Sequence, residues 1–305
     1  GDVNTGCFNT FLGYAAGRYV TTSQDNIMMG RFAGKKAGVG NGNIFLGGYA
    51  GSQNGTAADN DAANNIAMGW AAGCGLTDGD NNIFMGNNAG SETTTGLANV
   101  MIGNYAGDNH VSGSENVYIS HCAGRCMCNG NDNVAVGHCA LRGSSTVANN
   151  TGAANVALGC DAGKEITSGG CNVLLGATAG DAITSGGKNV VIGCGVDVAS
   201  ATGDSQFIIG VGGSKWICGD SSFNIYDKNG TLIAAGFNPD AQYNLAAGTD
   251  AGKCFLNNSD SEYNVAIGWK AGCRIGALSY NDDKNVAIGY AAGRDACNTD
   301  NSIFI

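Results

Sequence analysis

Proline is almost absent from this chain: Pro239 stands alone among 305 residues, although glycine occurs 52 times. That pairing excludes collagen, whose triple helix needs Gly at every third residue and abundant proline. Charge is scarce too, at 13% of residues against roughly a quarter in average globular domains. Asp and Glu outnumber Lys and Arg 25 to 15, for a formal net charge of −10. Nucleic acid is therefore not an expected partner, since most of that affinity comes from Lys and Arg neutralising phosphates. An anionic membrane surface is disfavoured on the same ground. No apolar run approaches the ~20 residues that span a bilayer, and no charged-then-apolar leader opens the chain, so membrane insertion is not expected. Histidine is limited to His110, His121 and His138. No GxSxG, HExxH or phosphate-loop word stands in a strand-to-helix context. The repeat described below supplies no acidic residue at a fixed place for a paired-carboxylate mechanism. Enzymatic activity is not expected, and no cofactor is implied.

What the chain has in quantity is one word, repeated. Asn, an aliphatic, a variable residue, an aliphatic and Gly recur as NIMMG from Asn26, NIFLG from Asn43, NIFMG from Asn82, NVMIG from Asn99 and NVAVG from Asn133. The word returns as NVAIG from Asn264 and again from Asn285, and the chain stops in NSIFI at Ile305. The glycines that close these words are Gly30, Gly47, Gly86, Gly103, Gly137, Gly268 and Gly289. Most steps are 17 residues; Asn43 to Asn65 and Asn133 to Asn155 are 22. An Ala follows three residues after the Gly, then usually another Gly, as in GYAAG from Gly13 and GNYAG from Gly103. Opening at Gly1 without Met and closing inside a word, the sequence reads as a piece of a longer polypeptide.

A fixed period of this size is the signature of a solenoid. Alternation within each word means a strand. In NIFLG the two aliphatics, Ile44 and Leu46, are expected to face the core, and Phe45 the outside. Helix is disfavoured because each interior Gly costs about 1 kcal/mol relative to Ala. Gly after the strand permits the positive φ of a sharp turn, and stacked Asn can bond rung to rung. The expected fold is all-β, a parallel β-solenoid or β-roll of ~17-residue rungs. A second short strand is expected around the Ala-Gly, with loops at the corners. At ~4.8 Å per rung the stack would reach roughly 70 Å.

Two buried aliphatics per unit fall far short of the backbone entropy of ordering 17 residues, so no rung is stable alone. Position three of the word holds Phe11, Met28, Phe45, Phe84, Met101, Tyr118, Leu174 and Val191. If it faces outward, something must cover it, and other copies are the simplest cover. An intertwined or side-by-side parallel homotrimer is expected, against a wider monomeric solenoid that buries both faces itself.

The words NVAIGYAAG (Asn285–Gly293) and NIAMGWAAG (Asn65–Gly73) resemble two related groups of trimeric fibres. One is the 17-residue shaft repeat of bacteriophage tail fibres, written Asn-Thr-Ala-Ile-Gly-Tyr-Gln-Ala-Leu. The other is the β-roll head of trimeric autotransporter adhesins, whose repeat is shorter. The resemblance covers nearly the whole chain and its period favours the tail fibres, although Ala-Gly replaces Ala-Leu and cysteine is more frequent here. Residues from Lys215 to Phe237 read as a β-hairpin around Asn229-Gly230 and look like the modules that interrupt such shafts. The expected organisation is shaft repeats over 1–214, a hairpin interruption over 215–243 and continued shaft over 244–305. The resemblance implies a homotrimeric shaft on a virion, displaying a receptor-binding tip for attachment to a host cell-surface receptor. The alternative is the passenger or head region of a bacterial surface adhesin.

The chain has 13 cysteines. Cys122 and Cys139 occupy the same repeat position one rung apart, near enough for a disulfide in an in-register stack. Disulfides, within or between subunits, are the preferred reading, ahead of buried thiols and then of metal. Cys160 and Cys194 share a column but lie two rungs apart. His121, Cys122, Cys126, Cys128, His138 and Cys139 are soft ligands of a type zinc takes, but their spacing matches no zinc module, and no metal is expected. Sequons at Asn54 and Asn149 fall in the lengthened units and are candidate glycosylation acceptors, with further matches at Asn229 and Asn257. Asp59, Asn60, Asp61, Asp78 and Asp80 read as turn residues rather than calcium ligands.

Overall fold

Seventeen residues per turn leave room for one short strand and little else regular, and the computed structural model has that form. It describes residues 5–38, 40–52, 61–144, 150–220, 224–227, 232–234, 245–247, 250–251, 264–273, 284–296 and 301–305. No helix occurs among them. The chain divides into two compact units, Gly1–Ser205 with Val211–Gly213 and Gln206–Gly210 with Ser214–Ile305.

The first unit carries β1 (Thr10–Leu12), β2 (Ile27–Met29), β3 (Ile44–Leu46), β4 (Ile66–Met68), β5 (Ile83–Met85) and β6 (Val100–Ile102). It continues with β7 (Val117–Ile119), β8 (Val134–Val136), β9 (Val156–Leu158), β10 (Val173–Leu175) and β11 (Val190–Ile192). Each pairs in parallel with the next in chain order, and equivalent word positions stand opposite, as in Ile83↔Val100, Phe84↔Met101 and Met85↔Ile102. The 22-residue steps keep this register, with Ile44↔Ile66 and Val134↔Val156. The stacking register is thus the same across the lengthened steps as across the 17-residue ones. This is the parallel β-solenoid that the period predicts. The Ala-Gly segment forms turns instead of a second strand.

The word's facing is the reverse of expectation. Phe45 is fully buried, whereas Ile44 and Leu46 are half-buried. The reason is local: Asn43 and Phe45 are two residues apart and share a face, and Asn43 is fully buried. Met28, Phe84, Met101, Tyr118, Leu174 and Val191 occupy the same buried column. Position three is therefore the core, and positions two and four form the outer face of the sheet.

The buried Asn is tolerated because all its hydrogen-bonding capacity is used. Asn99 Oδ1 accepts from the backbone N–H and the Nδ2 of Asn116, both at 3.0 Å. Asn99 Nδ2 donates to Asn82 Oδ1 at 3.1 Å and to the Gly113 carbonyl at 2.9 Å. The backbone N–H contact links Asn9, Asn26, Asn43, Asn65, Asn82, Asn99, Asn116, Asn133, Asn155, Asn172 and Asn189 in one ladder. Turns are cross-bonded as well. Residues in the left-handed region, such as Tyr105 (φ 57) and Ala98 (φ 55), donate their N–H to Asn87 and Asp80 of the preceding rung.

Glycine is required at two places per turn. Gly103 has φ +139, and a Cβ there would stand 2.4 Å from the Ser120 carbonyl oxygen in the next rung. Gly51 has φ +58, and its Cβ would meet the Phe45 ring at 2.5 Å. Leu141 takes the position of this second glycine, with φ 45. It fits because its own strand centre is the small Ala135, and its side chain fills the core there. In several rungs volume is shared between strand centre and the residue nine further on: Phe84 goes with Thr93 and Met28 with Ala37, whereas Ala67 goes with Leu76 and Ala157 with Ile166, all buried. Native packing density demands this kind of compensation.

β12 (Phe207–Val211) contributes all but its last residue to the second unit, and Gly212 and Gly213, both at positive φ, connect it to β13 (Ser214–Gly219). β13 pairs antiparallel with β14 (Ile225–Asp227), and β14 antiparallel with β15 (Leu232–Ala234). The Asn229-Gly230 turn itself lies outside the described residues. Parallel rungs resume in β16 (Leu245–Ala247), β17 (Val265–Ile267), β18 (Val286–Ile288) and β19 (Ile303–Phe304). Their core is small, with Ala251, Ala266, Ala271 and Ala287 backed by Phe304. Asn285 accepts from Ser302 N–H at 3.0 Å. Ser302, not Asn301, thus stands in the Asn column of the last word.

Three substitutions test this packing. Phe84→Ala should cost about 3–5 kcal/mol through lost burial and a cavity. Asn99→Leu should cost about 1–3 kcal/mol by orphaning the buried Asn116 N–H, whose acceptor is Asn99 Oδ1. The exposed Leu97→Ala should stay within about 0.5 kcal/mol. Amide exchange in β5 and β6 checks all three, and equal protection in Phe84→Ala and Leu97→Ala would refute the facing. Burial lowers the pKa of His110, whose Nδ1 faces the Met127 carbonyl and whose Nε2 faces that of Gly113. The unfolded chain then binds the proton more readily, so His110 destabilises the fold as pH falls through about 6.5. His110→Gln should flatten that part of a stability–pH profile; an unchanged slope would place the sensitivity elsewhere.

Candidate functional site

From β2 to β11, positions two and four of the word put two columns of aliphatics on the outer face of the sheet. Met85 is 37% exposed and Leu158 41%, and Ile27, Met29, Met68 and Val136 are similarly open. Aliphatics scattered singly on a surface need no explanation, but a continuous apolar stripe marks an interaction surface. In the first unit this stripe runs from β2 to β11 without a charged residue.

The corner after the strand carries different side chains from rung to rung. The first and second residues after the turn glycine leave the sheet there, the second of them in the left-handed conformation. Near the start of the chain these positions are aromatic. Tyr14, Phe32, Tyr49 and Trp70 follow one another with ring centroids 5.3, 5.1 and 5.0 Å apart. Arg31 lies over Phe32 and Tyr49 and donates to the Tyr49 hydroxyl at 2.9 Å, and Lys35 lies over Phe32. Trp70 is 51% exposed and Tyr14 71%. In the second unit Trp269 and Tyr290 stack at 4.6 Å with the Lys270 ammonium over Trp269. This aromatic column is not anticipated from the sequence, although the words GYAAG, GRFAG and GWAAG display it once aligned on glycine.

Farther along, the same corner carries His121-Cys122, His138-Cys139 and Cys160-Asp161. The imidazoles of His121 and His138 stack at 5.2 Å and 10°. Cys122 and Cys139 are adjacent as expected, but both are free thiols, so the disulfide expected between them is not formed. No disulfide occurs among the described cysteines. Burial, followed by the neighbouring Cys122 and Asp161, pushes the Cys139 thiol up. Cys126 and Cys128 lie outside this group: Cys126 Sγ accepts from Asn109 Nδ2 at 3.6 Å. Cys160 and Cys194 are exposed and separated by the Ala177 rung.

Rung-to-rung ion pairs stand on other turns: Arg125–Asp108 at 3.4 Å, Arg142–Glu165 at 3.1 Å and Lys164–Asp181 at 3.2 Å. Each is partly exposed and contributes about 0–1 kcal/mol. Asp80 accepts from the Ala63 N–H at 2.7 Å, a turn role. Asn54, Asn149, Asn229 and Asn257 lie outside the described residues, as do Asp59 and Asn60. Compared with known proteins, the chain matches no family model, no curated protein and no solved structure.

Proposed function

We propose that the chain is the structural shaft of a fibre, assembled as a parallel homotrimer whose protomers cover one another's outer sheet faces. The supporting observation is the stripe of aliphatics at positions two and four, which a lone chain leaves half in water. Covering it adds burial of about 25 cal/mol for each Å² of apolar surface. The core needs no partner, because position three is already enclosed within the rung; association is driven by the opposite face from the one the sequence suggested. The resemblance of NVAIGYAAG and NIAMGWAAG to tail-fibre shaft repeats makes the location a virion tail fibre, and the task that of holding a receptor-binding tip toward the host cell. The work is mechanical, not catalytic.

A second reading, an adhesin of the bacterial surface, is favoured by one feature: the exposed ring column from Tyr14 to Trp70. It would put adhesion along the shaft itself, since rings flanked by Arg31 and Lys35 suit flat, polar ligands such as sugars.

Native mass measurement should give three copies for the unaltered chain. Met85→Lys combined with Leu158→Lys should give single copies with the far-ultraviolet β spectrum retained. A monomeric unaltered chain at micromolar concentration, or a trimer indifferent to the two lysines, would reject assembly through this face.

A further inference from the structure

From the corner of the β7, β8 and β9 rungs we propose a binding site for zinc or another thiophilic divalent cation. Cys122 Sγ lies 3.6 Å from His121 Nε2, and Cys139 Sγ joins them with all three ligand atoms within 4.8 Å of one another. Around a tetrahedral zinc, with Zn–S about 2.3 Å and Zn–N about 2.0–2.1 Å, neighbouring donors stand roughly 3.5–3.8 Å apart. The Cys122–His121 separation already matches, and a cation would draw the third donor in by rotation about its χ1. Three protein donors leave the fourth position for water, on the side where His121 is exposed.

The donors sit on a fixed frame. Cys122 and Cys139 occupy left-handed turns with φ 56 and 54. Their amides donate to Asn104 and His121 carbonyls of the preceding rungs, each at 3.0 Å. Backbone geometry repeated from rung to rung holds the two thiols one above the other, so little conformational freedom is lost on binding. Two thiolates also balance the charge of a divalent cation, which hard oxygen-preferring ions such as magnesium do not select.

One rung along, the arrangement recurs with a harder donor. Cys160 Sγ is 3.9 Å from His138 Nδ1 and 3.7 Å from Asp161 Oδ2. This second triad is more exposed and has one thiol, so it is the weaker site. The chain has three histidines in all, and two of them lie in these adjoining triads. A corner that in the other rungs of the first unit offers a single such donor, Cys194, has six donor side chains on these three successive rungs.

The test is titration of the full chain, kept reduced, with Co²⁺ followed by displacement with Zn²⁺. Expected are the visible bands of tetrahedral cobalt with thiolate charge transfer in the near ultraviolet, and a higher unfolding midpoint with zinc. Cys122→Ser combined with Cys139→Ser should remove the charge-transfer band and weaken binding on the order of 100-fold or more. His121→Ala, at an exposed position, should weaken it with the fold intact and so decides the matter if the double variant misfolds. Cys171→Ser combined with Cys194→Ser, at exposed positions off these triads, should change neither. An unaltered chain without thiolate bands, or bands that survive in both the double variant and His121→Ala, would overturn the site.

Discussion

The constraint on which the structure depends is that a fully buried amide must repeat its own hydrogen bonds at every turn. Asn99 can lie inside only because Asn82 and Asn116 lie directly below and above it. An Asn without its neighbours would bury unsatisfied donors and acceptors at about 1–3 kcal/mol each. The ladder thus fixes the rise per rung, and the rest of the turn conforms to it. Glycine closes the strand because successive carbonyls come too near for a Cβ. Side chains enter left-handed turns, at an intrinsic cost of about 1–2 kcal/mol each, because their amides find carbonyls one rung away. Even the lengthened units obey: Asn65 and Asn155 bond to Asn43 and Asn133 as though nothing had been inserted.

With the rise fixed by polar contacts, the apolar core is free to vary. Strand centres range from alanine to tyrosine, and in some rungs the residue nine positions on compensates, as Leu76 does for Ala67 and Ile166 for Ala157. Gly73 shows how the layers interlock. Its missing Cβ would meet both Phe84 of the next rung and Leu76 of its own, so a large ring from one layer occupies space that a small centre, Ala67, leaves in the adjacent one. Repeat identity and core identity are thus separable. Asn and Gly specify the path of the chain, and the other residues have only to fill it.

Much of this was legible in the sequence, and the limits of that legibility are instructive. Period, strand, parallel stacking and the Asn column all follow from NIFLG and its copies. The inside of the strand did not. With Ile44, Phe45 and Leu46 all apolar, alternation offered no contrast, and the greater regularity of Ile and Leu was mistaken for the mark of a core. The informative residue was Asn43. Polar side chains are normally placed outside, but one that recurs in register can satisfy itself, and its partner two residues along is then inside as well. Register at the last word is set by strand pairing and not by the nearest Asn. Asn301 looks like the ladder residue, yet Val286↔Ile303 pairing puts Ser302 there. The Cys122 and Cys139 column was visible from spacing; its company of Cys160 and Asp161 was not, because the 22-residue step from Asn133 to Asn155 hides the alignment.

A solenoid turns residues 17 apart into neighbours, so function can be written in columns without disturbing the path. The corner after the turn glycine is the column best placed for it: backbone fixed by cross-rung bonds, side chains outside the core and outside the sheet face. Any one rung offers only two side chains there, so different chemistries must be laid out along the axis. Rings with cations come first, from Tyr14 to Trp70. Thiols and imidazoles follow from His121 to Asp161, and Tyr105, 6.4 Å from His121, stands at the junction. The proposed trimer uses the sheet face and the proposed metal site uses the corner, and neither needs a residue of the other. A solenoid built this way can gain a new binding function on a few successive rungs, because the Asn ladder that carries the load of folding lies on neither surface.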